Sequence, residues 1–288
     1  MVSNPYGRVA LITGASSGIG QCTAQMLARS GFAVYGGSRR GGGLTDYGEG
    51  YIQMIALNVD DDGSVEAAVR HVVEREGRID VLINAAGTGI CGAVEDCLGS
   101  DAMRQMNTNY VGVVRMIRCV LPIMREQGKG LIINIGSVGG IFSIPFQTLY
   151  SSSKFAVEAL TEGLRIECRP FGVRAALIEP GDVKTSFTAN RMYAGGCSET
   201  AYGEAFLNSI AQMESDEKSG KGPETIARAV MKLIQRKNPP VRRVVGAKYK
   251  AFVFLKRLLP ARAVEALMTM MYPLSKIRDK DKARAVNG

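Results

Sequence analysis

The sequence predicts an α/β protein: a single doubly wound domain with a mostly parallel, seven-stranded sheet covered by helices on both faces, followed by a C-terminal helical extension. Three observations predict this fold. Short apolar runs alternate along the chain with longer segments of helical periodicity. A glycine-rich turn directly follows the first apolar run. Hydrophobic residues make up 46% and charged residues 22% of the 288 residues, as in a globular chain with an ample core.

The predicted strands are continuous apolar runs, as expected where both faces of a parallel sheet are buried. They cover residues 9–13, 32–37, 51–57, 79–84, 131–135, 173–178 and 241–245. Helical periodicity fills the intervals, at residues 19–30, 64–76, 103–126, 150–168 and 225–237. Gly31 and Gly77 are predicted to end the first two helices.

The alternation of strand and helix predicts right-handed crossovers and one domain over residues 1–247. Within it, the segment 182–222 interrupts the rhythm with glycines and polar residues, and it is interpreted as a substrate loop. Residues 248–288 are predicted to form the helical extension and a charged, basic tail.

Charge, cysteine and histidine content narrow the function. The net charge is +9, from 36 basic and 27 acidic residues, which favours an anionic partner: a nucleotide phosphate, nucleic acid or an acidic membrane surface. The six cysteines form no CxxC pair, and the first residues lack a secretory pattern, so reduced thiols and a cytoplasmic location are expected. The single histidine, His71, excludes two-histidine metal centres, and no metal site is predicted.

The turn TGASSGIG, residues 13–20, lies between the first strand and the first helix. Glycines let the backbone approach a pyrophosphate, and the helix N-terminus supplies free N–H groups. The predicted dinucleotide contacts are Gly14, Ser16, Ser17, Gly18, Ile19 and Gly20. The same residues match the G-x-S-x-G nucleophile turn of hydrolases, but that triad needs a later histidine, and His71 falls on a predicted amphipathic helix.

Further motifs follow in order: NAAG at 84–87, Ser137, the pair Tyr150 and Lys154, and PG at 180–181. Together with the glycine turn, their order and spacing resemble the short-chain dehydrogenase/reductase family over residues 6–245. The segments GSVGG, PF and YSSSKFAVE within residues 136–158 resemble its 17β-hydroxysteroid dehydrogenase branch. The resemblance implies a Rossmann-type fold and an oxidoreductase that uses a nicotinamide dinucleotide.

The second predicted strand ends at Ser38, where an acidic residue would favour the ribose hydroxyl of NAD. Arg39 and Arg40 follow and suit a 2′-phosphate, so NADP (NADPH) is the predicted cofactor; an exposed loop pair without a ligand is the alternative. The resemblance adds an adenine contact at Asn58 and Val59, although the family often has Asp in place of Asn58. It also implies cofactor contacts along both later motifs, at Asn84, Ala85, Ala86, Gly87, Pro180, Gly181, Val183 and Thr185.

Tyr150 and Lys154 are spaced i, i+4, which places them on one helix face. A free phenol has a pKa of ~10, and a nearby ammonium favours the phenolate. The resemblance implies that Tyr150 is the general acid and base, that Ser137 binds the substrate oxygen, and that Lys154 holds the nicotinamide ribose and lowers the pKa of Tyr150. It also implies that Asn109, which fits the N-x-x-G pattern better than Asn107, positions a relay water.

Apolar and aromatic residues near these motifs favour a lipophilic substrate, a hydroxysteroid or similar alcohol or ketone, with ordinary core packing as the alternative. They are Ile141, Phe142, Ile144, Pro145, Phe146, Phe187, Met192, Tyr193, Tyr202, Phe206 and Met213. Two further hypotheses remain open: a 3-oxoacyl-thioester reductase, and a catalytically idle NADP-sensing protein.

The partners follow from composition and resemblance. Residues 248–274 mix apolar with basic residues and are interpreted as a lid, a subunit contact or a peripheral membrane helix, too interrupted to span a bilayer. No nucleic-acid recognition motif is present, so nucleic acid is not predicted to be a partner. The resemblance implies a homodimer or homotetramer that pairs through the helices predicted at 103–126 and 150–168.

Overall fold

Eight strands form the central sheet of the computed structural model, which describes residues 4–197 and 200–272. In spatial order they are β10 (Arg242–Val245), β8 (Val173–Pro180), β7 (Gly130–Ile135), β5 (Val81–Asn84), β1 (Val9–Thr13), β2 (Ala33–Ser38), β4 (Tyr51–Ala56) and β3 (Leu44–Asp46). Two short strands, β6 (Ile90–Cys91) and β9 (Met192–Tyr193), pair with each other outside this sheet. The order reverses beside β1, which is where ligands bind in such sheets.

The α/β prediction is confirmed, but the sheet has eight strands rather than seven. All seven predicted strands are present and parallel, and the additional strand, β3, pairs antiparallel with β4 at the edge. β3 has three exposed residues. Because an exposed edge strand buries neither face, it has no apolar run, and the pattern used to find the other strands could not detect it.

Nine helices lie within the described residues. They are α1 (Gly18–Ala28), α2 (Asp62–Glu76), α3 (Gly99–Met106), α4 (Gly112–Glu126), α5 (Thr148–Cys168), α6 (Gly203–Ser219), α7 (Glu224–Ile234), α8 (Ala247–Leu258) and α9 (Ala261–Met271). The helix predicted at 103–126 is two helices joined by a π-helical turn, Asn107–Val111. The segment predicted as a loop at 182–222 contains α6, whose buried residues recur at helical spacing.

Two apolar cores cover the faces of the sheet. One contains Val65 and Val72 of α2, Met116 of α4 and Leu164 of α5. The opposite core contains residues of α1 and α7 together with Ile133 of β7. The predicted glycine stops are present: Gly31 and Gly77 have φ values of 81° and 69°, which glycine adopts without steric cost.

The C-terminal helices fold back onto the domain. The Lys256 ammonium of α8 donates a hydrogen bond to the Ile141 carbonyl. Met268, Met271 and Tyr272, in α9 and directly after it, pack in a third apolar cluster with Phe206 of α6. Residues 273–288, which include the end of the segment 248–274 and the predicted basic tail, lie outside the described residues. Among the described helices, none has the length and apolar character needed to cross a bilayer.

Candidate active site

The glycine turn after β1 lies tightly against the segment after β5. A Cβ atom on Gly14 would lie 2.9 Å from the Cα of Ala86, and one on Gly20 would lie 2.3 Å from the Gly14 carbonyl oxygen. Gly14 and Gly18 also have positive φ angles of 67° and 52°. Side chains at these positions would collide or strain the backbone, so the turn depends on glycine for its shape.

Thr13, the last residue of β1, joins this turn to the NAAG segment. Its buried Oγ1 accepts hydrogen bonds from the backbone N–H groups of Ala85 and Ala86, each at 3.0 Å. Asn84 fixes the same segment from the other side, since its Nδ2 donates to Asn134 Oδ1 at 2.8 Å, and Asn134 donates in turn to Thr161 of α5. These contacts hold the NAAG segment against β7 and α5.

Replacement of Thr13 by valine is expected to destabilise the protein by about 2 kcal/mol, because two backbone donors lose their acceptor while the shape is kept. The measurement is urea unfolding of Thr13→Val, with Thr13→Ser as the matched control that retains the hydroxyl. A Thr13→Val midpoint equal to that of the parent protein would contradict the importance of these bonds.

The start of α1 fits a pyrophosphate. Ser17 is the N-cap residue, its side chain makes no capping hydrogen bond, and no acidic residue occupies the first turn. Ser16 and Ser17 are exposed, and Gly18 and Ile19 open the helix. The N–H groups of a first helical turn have no partner within the helix, so they and both hydroxyls can receive phosphate oxygens.

The end of β2 lies beside this turn because the N–H of Ala15 donates to the Gly37 carbonyl at 3.0 Å. Ser38 Oγ donates to the Gly41 carbonyl at 3.4 Å, and Arg39 and Arg40 are exposed. At the end of β4, the Asn58 side chain accepts from Asp60 N at 3.3 Å. The predicted adenosine contacts, including Val59, therefore follow neighbouring strands.

The segment after β8 packs against the glycine turn. A Cβ atom on Gly18 would lie 3.3 Å from the Cβ of Thr185, so these two predicted cofactor residues meet. Gly181 lies under the ring of Tyr249, which a Cβ atom would approach to 2.0 Å, and the Tyr249 hydroxyl donates to Asp182. Pro180 ends β8, and Val183 bridges to Lys221. Packing against Tyr249, a residue that the sequence analysis missed, is one structural reason for glycine at position 181.

Three of the predicted catalytic residues surround one position at the ends of β5 and β7. Tyr150 and Lys154 share a face of α5, with the lysine Nζ 5.8 Å from the centre of the phenol ring. A Cβ atom on Gly139 would lie 3.3 Å from both Ser137 Oγ and Tyr150 Cε1, so the serine and the tyrosine flank the same glycine. The Lys154 Nζ donates to the Ile135 carbonyl at 2.8 Å.

The electrostatics at Tyr150 differ from the expectation. Burial raises the pKa of Tyr150 to about 12, opposed by the Ser137 hydroxyl, while the charge of Glu217 raises it further and that of Arg191 lowers it. Burial also lowers the pKa of Lys154 to about 8. The predicted lowering of the Tyr150 pKa by Lys154 is not found here, because burial is the largest influence and the Lys154 ammonium is directed at the Ile135 carbonyl. At neutral pH the phenol is protonated and is ready to donate.

Asn109 reaches the site from the π-helical turn between α3 and α4, a feature frequent at functional sites. Its Oδ1 accepts from Thr88 N at 2.9 Å, and its Nδ2 donates to the Thr88 carbonyl at 3.0 Å and to Ser153 Oγ at 2.9 Å. The amide makes three hydrogen bonds, which fix the 84–88 segment against α5, and Oδ1 keeps one lone pair. Its role in positioning a relay water stays a prediction. A Cβ atom on Gly87 would lie 3.4 Å from Asn109 Oδ1 and 3.8 Å from Lys154 Nζ.

Arg191 and Glu217 were missed by the sequence analysis. The Arg191 side chain is 2% exposed, and its Nη2 contacts Glu217 Oε1 at 2.5 Å. Thr188 Oγ1 contacts the other carboxylate oxygen, Glu217 Oε2, at 2.5 Å. Both charges act on the pKa of Tyr150. The sequence analysis interpreted the segment 182–222 as a substrate loop and did not predict α6, the helix that carries Glu217. Because Arg191 lies outside that helix, no helical spacing rule could pair the two residues.

The predicted substrate lining divides into two groups. Phe187 borders the Tyr150 phenol, with ring centres 5.5 Å apart. Phe146, Phe206 and Met213 instead form the buried cluster under α9, which is the core-packing alternative. An apolar space of about 360 Å³ lies between the 142–145 segment and the C-terminal helices. It is lined by Phe142, Pro145, Val264, Met268 and Tyr272 among others.

The two pKa values predict a pH dependence for the oxidoreductase reaction that the sequence resemblance implies. Lys154 carries a proton below about pH 8 and loses it above, whereas Tyr150 stays protonated to about pH 12. If the ammonium form is the active one, kcat/KM is expected to be flat below pH 8 and to fall about tenfold per pH unit above it. A pH–rate profile tests this, and a flat profile up to pH 10 would contradict it.

No group of three or more His, Cys, Asp or Glu within the described ranges could hold a metal ion.

Comparison with known proteins agrees with this geometry. The sequence model of the family described as short chain dehydrogenase matches residues 8–194. A 3-ketodihydrosphingosine reductase of Bacteroides thetaiotaomicron is 41% identical over 269 residues, which are 93% of this chain and 98% of that protein. The human 17-beta-hydroxysteroid dehydrogenase type 1 is 42% identical over 192 residues, which are 62% of this chain and 58% of that protein.

The fold is also similar to solved structures. The crystal structure of a short-chain dehydrogenase from Streptomyces avermitilis has a TM-score of 0.77 and 28% sequence identity, and the match covers 92% of this chain and 96% of that one. The family match spans more than half of the chain and includes the glycine turn, Ser137, Tyr150 and Lys154. This chain therefore belongs to the short-chain dehydrogenase/reductase family, oxidoreductases that act on CH–OH and keto groups with NAD or NADP.

Proposed function

We propose that this chain reduces the keto group of a long-chain lipid with NADPH, with Tyr150 as the proton donor. The observation that carries the proposal is the half-buried Tyr150 between Ser137 and Lys154, with Phe187 against its ring and a pKa raised to about 12. A protonated phenol suits the direction of reduction, in which the carbonyl oxygen must gain a proton.

Each residue of the site has a defined part in this reaction. The bound cofactor would supply the hydride. Ser137 donates a hydrogen bond to the substrate carbonyl oxygen, and Tyr150 donates the proton that this oxygen needs. Lys154 keeps donors beyond the one directed at Ile135, which hold a ribose hydroxyl of the cofactor. Phe187 keeps water away from the ketone.

NADPH is favoured over NADH by the end of β2. Ser38 presents no carboxylate to repel a 2′-phosphate, and Arg39 and Arg40 are exposed next to the glycine turn. Within the described residues, no carboxylate forms an ion pair with either arginine, so their guanidinium groups are available to the phosphate.

A long-chain ketone is favoured over a steroid. The apolar space beside α9 is lined by Val264 and Met268 of α9 and by Tyr272 directly after it. The similarity to the 3-ketodihydrosphingosine reductase extends over nearly the whole length of both proteins, including the C-terminal helices, whereas the similarity to the steroid enzyme covers 62% of this chain. A steroid ketone is kept as the second candidate because of that partial match.

The test is NADPH oxidation with three ketones at matched concentrations: 3-ketodihydrosphingosine, a 17-ketosteroid and a 3-oxoacyl thioester. The long-chain amino ketone is expected to give a kcat/KM at least about tenfold above the others. A preference for the steroid or the thioester would identify the corresponding alternative. Tight NADPH binding without oxidation by any ketone would favour the NADP-sensing hypothesis and overturn the proposal.

We also propose a homodimer or homotetramer that pairs through α4 and α5. Ile166 of α5 is 75% exposed, and Phe155 on the same helix is also exposed, which is unusual for large apolar residues. Ile166→Asp is expected to shift the assembly to monomers, measured by light scattering after gel filtration. Leu44→Asp, an exposed position on the distant edge strand β3, is the matched control, and equal masses for Ile166→Asp and the parent would contradict this interface.

A further inference from the structure

A cleft of about 330 Å³ lies between β10 and α8, away from Tyr150 and outside the predicted cofactor contacts. Its walls carry four cationic side chains and several apolar ones, and a single carboxylate lies in its wall. The lining residues are Glu179, Pro240, Arg242, Arg243, Val244, Lys250, Val253, Phe254 and Arg257.

Arg242 is paired with three acidic residues beside the cleft. The Arg242 guanidinium contacts Glu158 at 2.7 Å, Glu162 at 3.0 Å and Glu179 at 3.6 Å. Burial raises the pKa of both Glu158 and Glu179, which disfavours their charged forms. These carboxyl groups therefore compete less strongly with an anion than exposed carboxylates would.

The other three cationic side chains that line the cleft are Arg243, Lys250 and Arg257. In the described part of the chain, no carboxylate lies within ion-pair distance of any of them. Lys250 and Arg257 are seven residues apart on α8, which places them on one face, and Arg243 approaches from β10. Because like charges repel, three neighbouring cations around one cleft favour an anionic ligand.

Next to the cleft, α8 exposes an apolar stripe. Phe254 is 65% exposed and Leu258 is 67% exposed, and with Ala251 and Leu255 they follow the i, i+3, i+4, i+7 spacing of one helix face. The sequence of α8, AKYKAFVFLKRL, has four basic residues and no acidic one. Apolar side chains beside a purely basic face are typical of helices that lie in the surface of an anionic bilayer.

We propose that α8 binds the surface of a membrane rich in anionic phospholipid: the stripe Ala251, Phe254, Leu255 and Leu258 enters the acyl-chain region, and the cleft at Arg243, Lys250 and Arg257 receives a headgroup phosphate. A second copy of the chain fits this surface less well, since two-fold packing of α8 on itself would bring its basic residues together without acidic partners. A free phosphate would use the cleft but not the stripe.

This placement also explains the position of the apolar space on the other side of α8. Lys256 ties α8 to the active-site segment, with its Nζ 5.2 Å from the ring centre of Phe142, and Phe142 lines that space. A lipid ketone leaving the bilayer at α8 would enter between α8 and α9. The membrane contact itself does not depend on the identity of the substrate.

Flotation of the full chain with vesicles of phosphatidylcholine, with and without phosphatidylglycerol, tests the proposal. Binding is expected only with phosphatidylglycerol and is expected to weaken with added salt. The double variant Lys250→Gln, Arg257→Gln should bind about thirtyfold more weakly, from the typical contribution of a basic residue at an anionic surface. The matched control, Arg228→Gln with Lys232→Gln on α7, loses the same charge and should bind like the parent.

Phe254→Ser with Leu258→Ser separates the possible occupants. Weaker flotation at an unchanged oligomeric mass supports insertion of the stripe. A smaller mass in the absence of vesicles would identify a second copy as the occupant and overturn the proposal, as would equal flotation of the parent with neutral vesicles. Flotation unchanged in this variant but abolished by inorganic phosphate would show a phosphate site only and would also overturn it. Melting temperature and the reduction of a short, water-soluble ketone verify that each variant is folded.

Discussion

Tyr150→Phe is expected to lower kcat for ketone reduction by about a thousandfold, the middle of the range that general acid catalysis supplies. The variant removes one hydroxyl and retains the ring that packs on Phe187. Without the phenolic hydroxyl, the carbonyl oxygen would have to take its proton from water, a much poorer acid. Steady-state oxidation of NADPH measures the loss.

The same variant should bind NADPH within about twofold of the parent, because in the proposed complex the glycine turn and Lys154, rather than the phenol, would hold the phosphates and ribose. Fluorescence titration of NADPH measures this constant. Tyr47→Phe is the matched control, since Tyr47 loses the same hydroxyl while its ring still stacks under Arg29 on the far side of the sheet. If Tyr150→Phe kept most of its kcat, Tyr150 would not be the proton donor.

Arg39→Asp is expected to weaken NADPH binding by about a hundredfold and to leave NADH binding within about threefold. A charge-assisted hydrogen bond contributes about 1.5–3 kcal/mol, and the new carboxylate would add repulsion toward the 2′-phosphate. In NADH the same carboxylate would face a ribose hydroxyl, which it can accept from. Dissociation constants for both cofactors measure the change in preference.

Arg70→Asp provides the matched control, because it makes the same change of charge on the exposed side of α2. Equal losses for NADPH and NADH in Arg39→Asp would show that Arg39 acts on shared parts of the cofactor or on the fold. A preference that is unchanged in Arg39→Asp but reversed in Arg40→Asp would assign the phosphate to the second arginine.

The sequence by itself determined the layout of the domain and the order of the site. Buried parallel strands such as β1 and β7 are continuous apolar runs, so local composition reveals them. The glycine turn, Ser137 and the Tyr150–Lys154 pair could be found because each depends on short-range spacing. The exposed strand β3 and the helix α6 escaped prediction, one because it buries nothing and the other because glycines flank it.

Only the tertiary structure decided the charges and the neighbours. Burial raises the pKa of Tyr150 and lowers the pKa of Lys154, which favours the neutral form of both side chains. This burial depends on chain segments that are far apart in the sequence. The pairing of Arg191 with Glu217, the commitment of the Asn109 amide to Thr88, and the packing of Tyr249 on Gly181 are likewise long-range contacts. Spacing along the chain specifies which residues share an element, whereas solvent exclusion and electrostatics depend on how the elements pack.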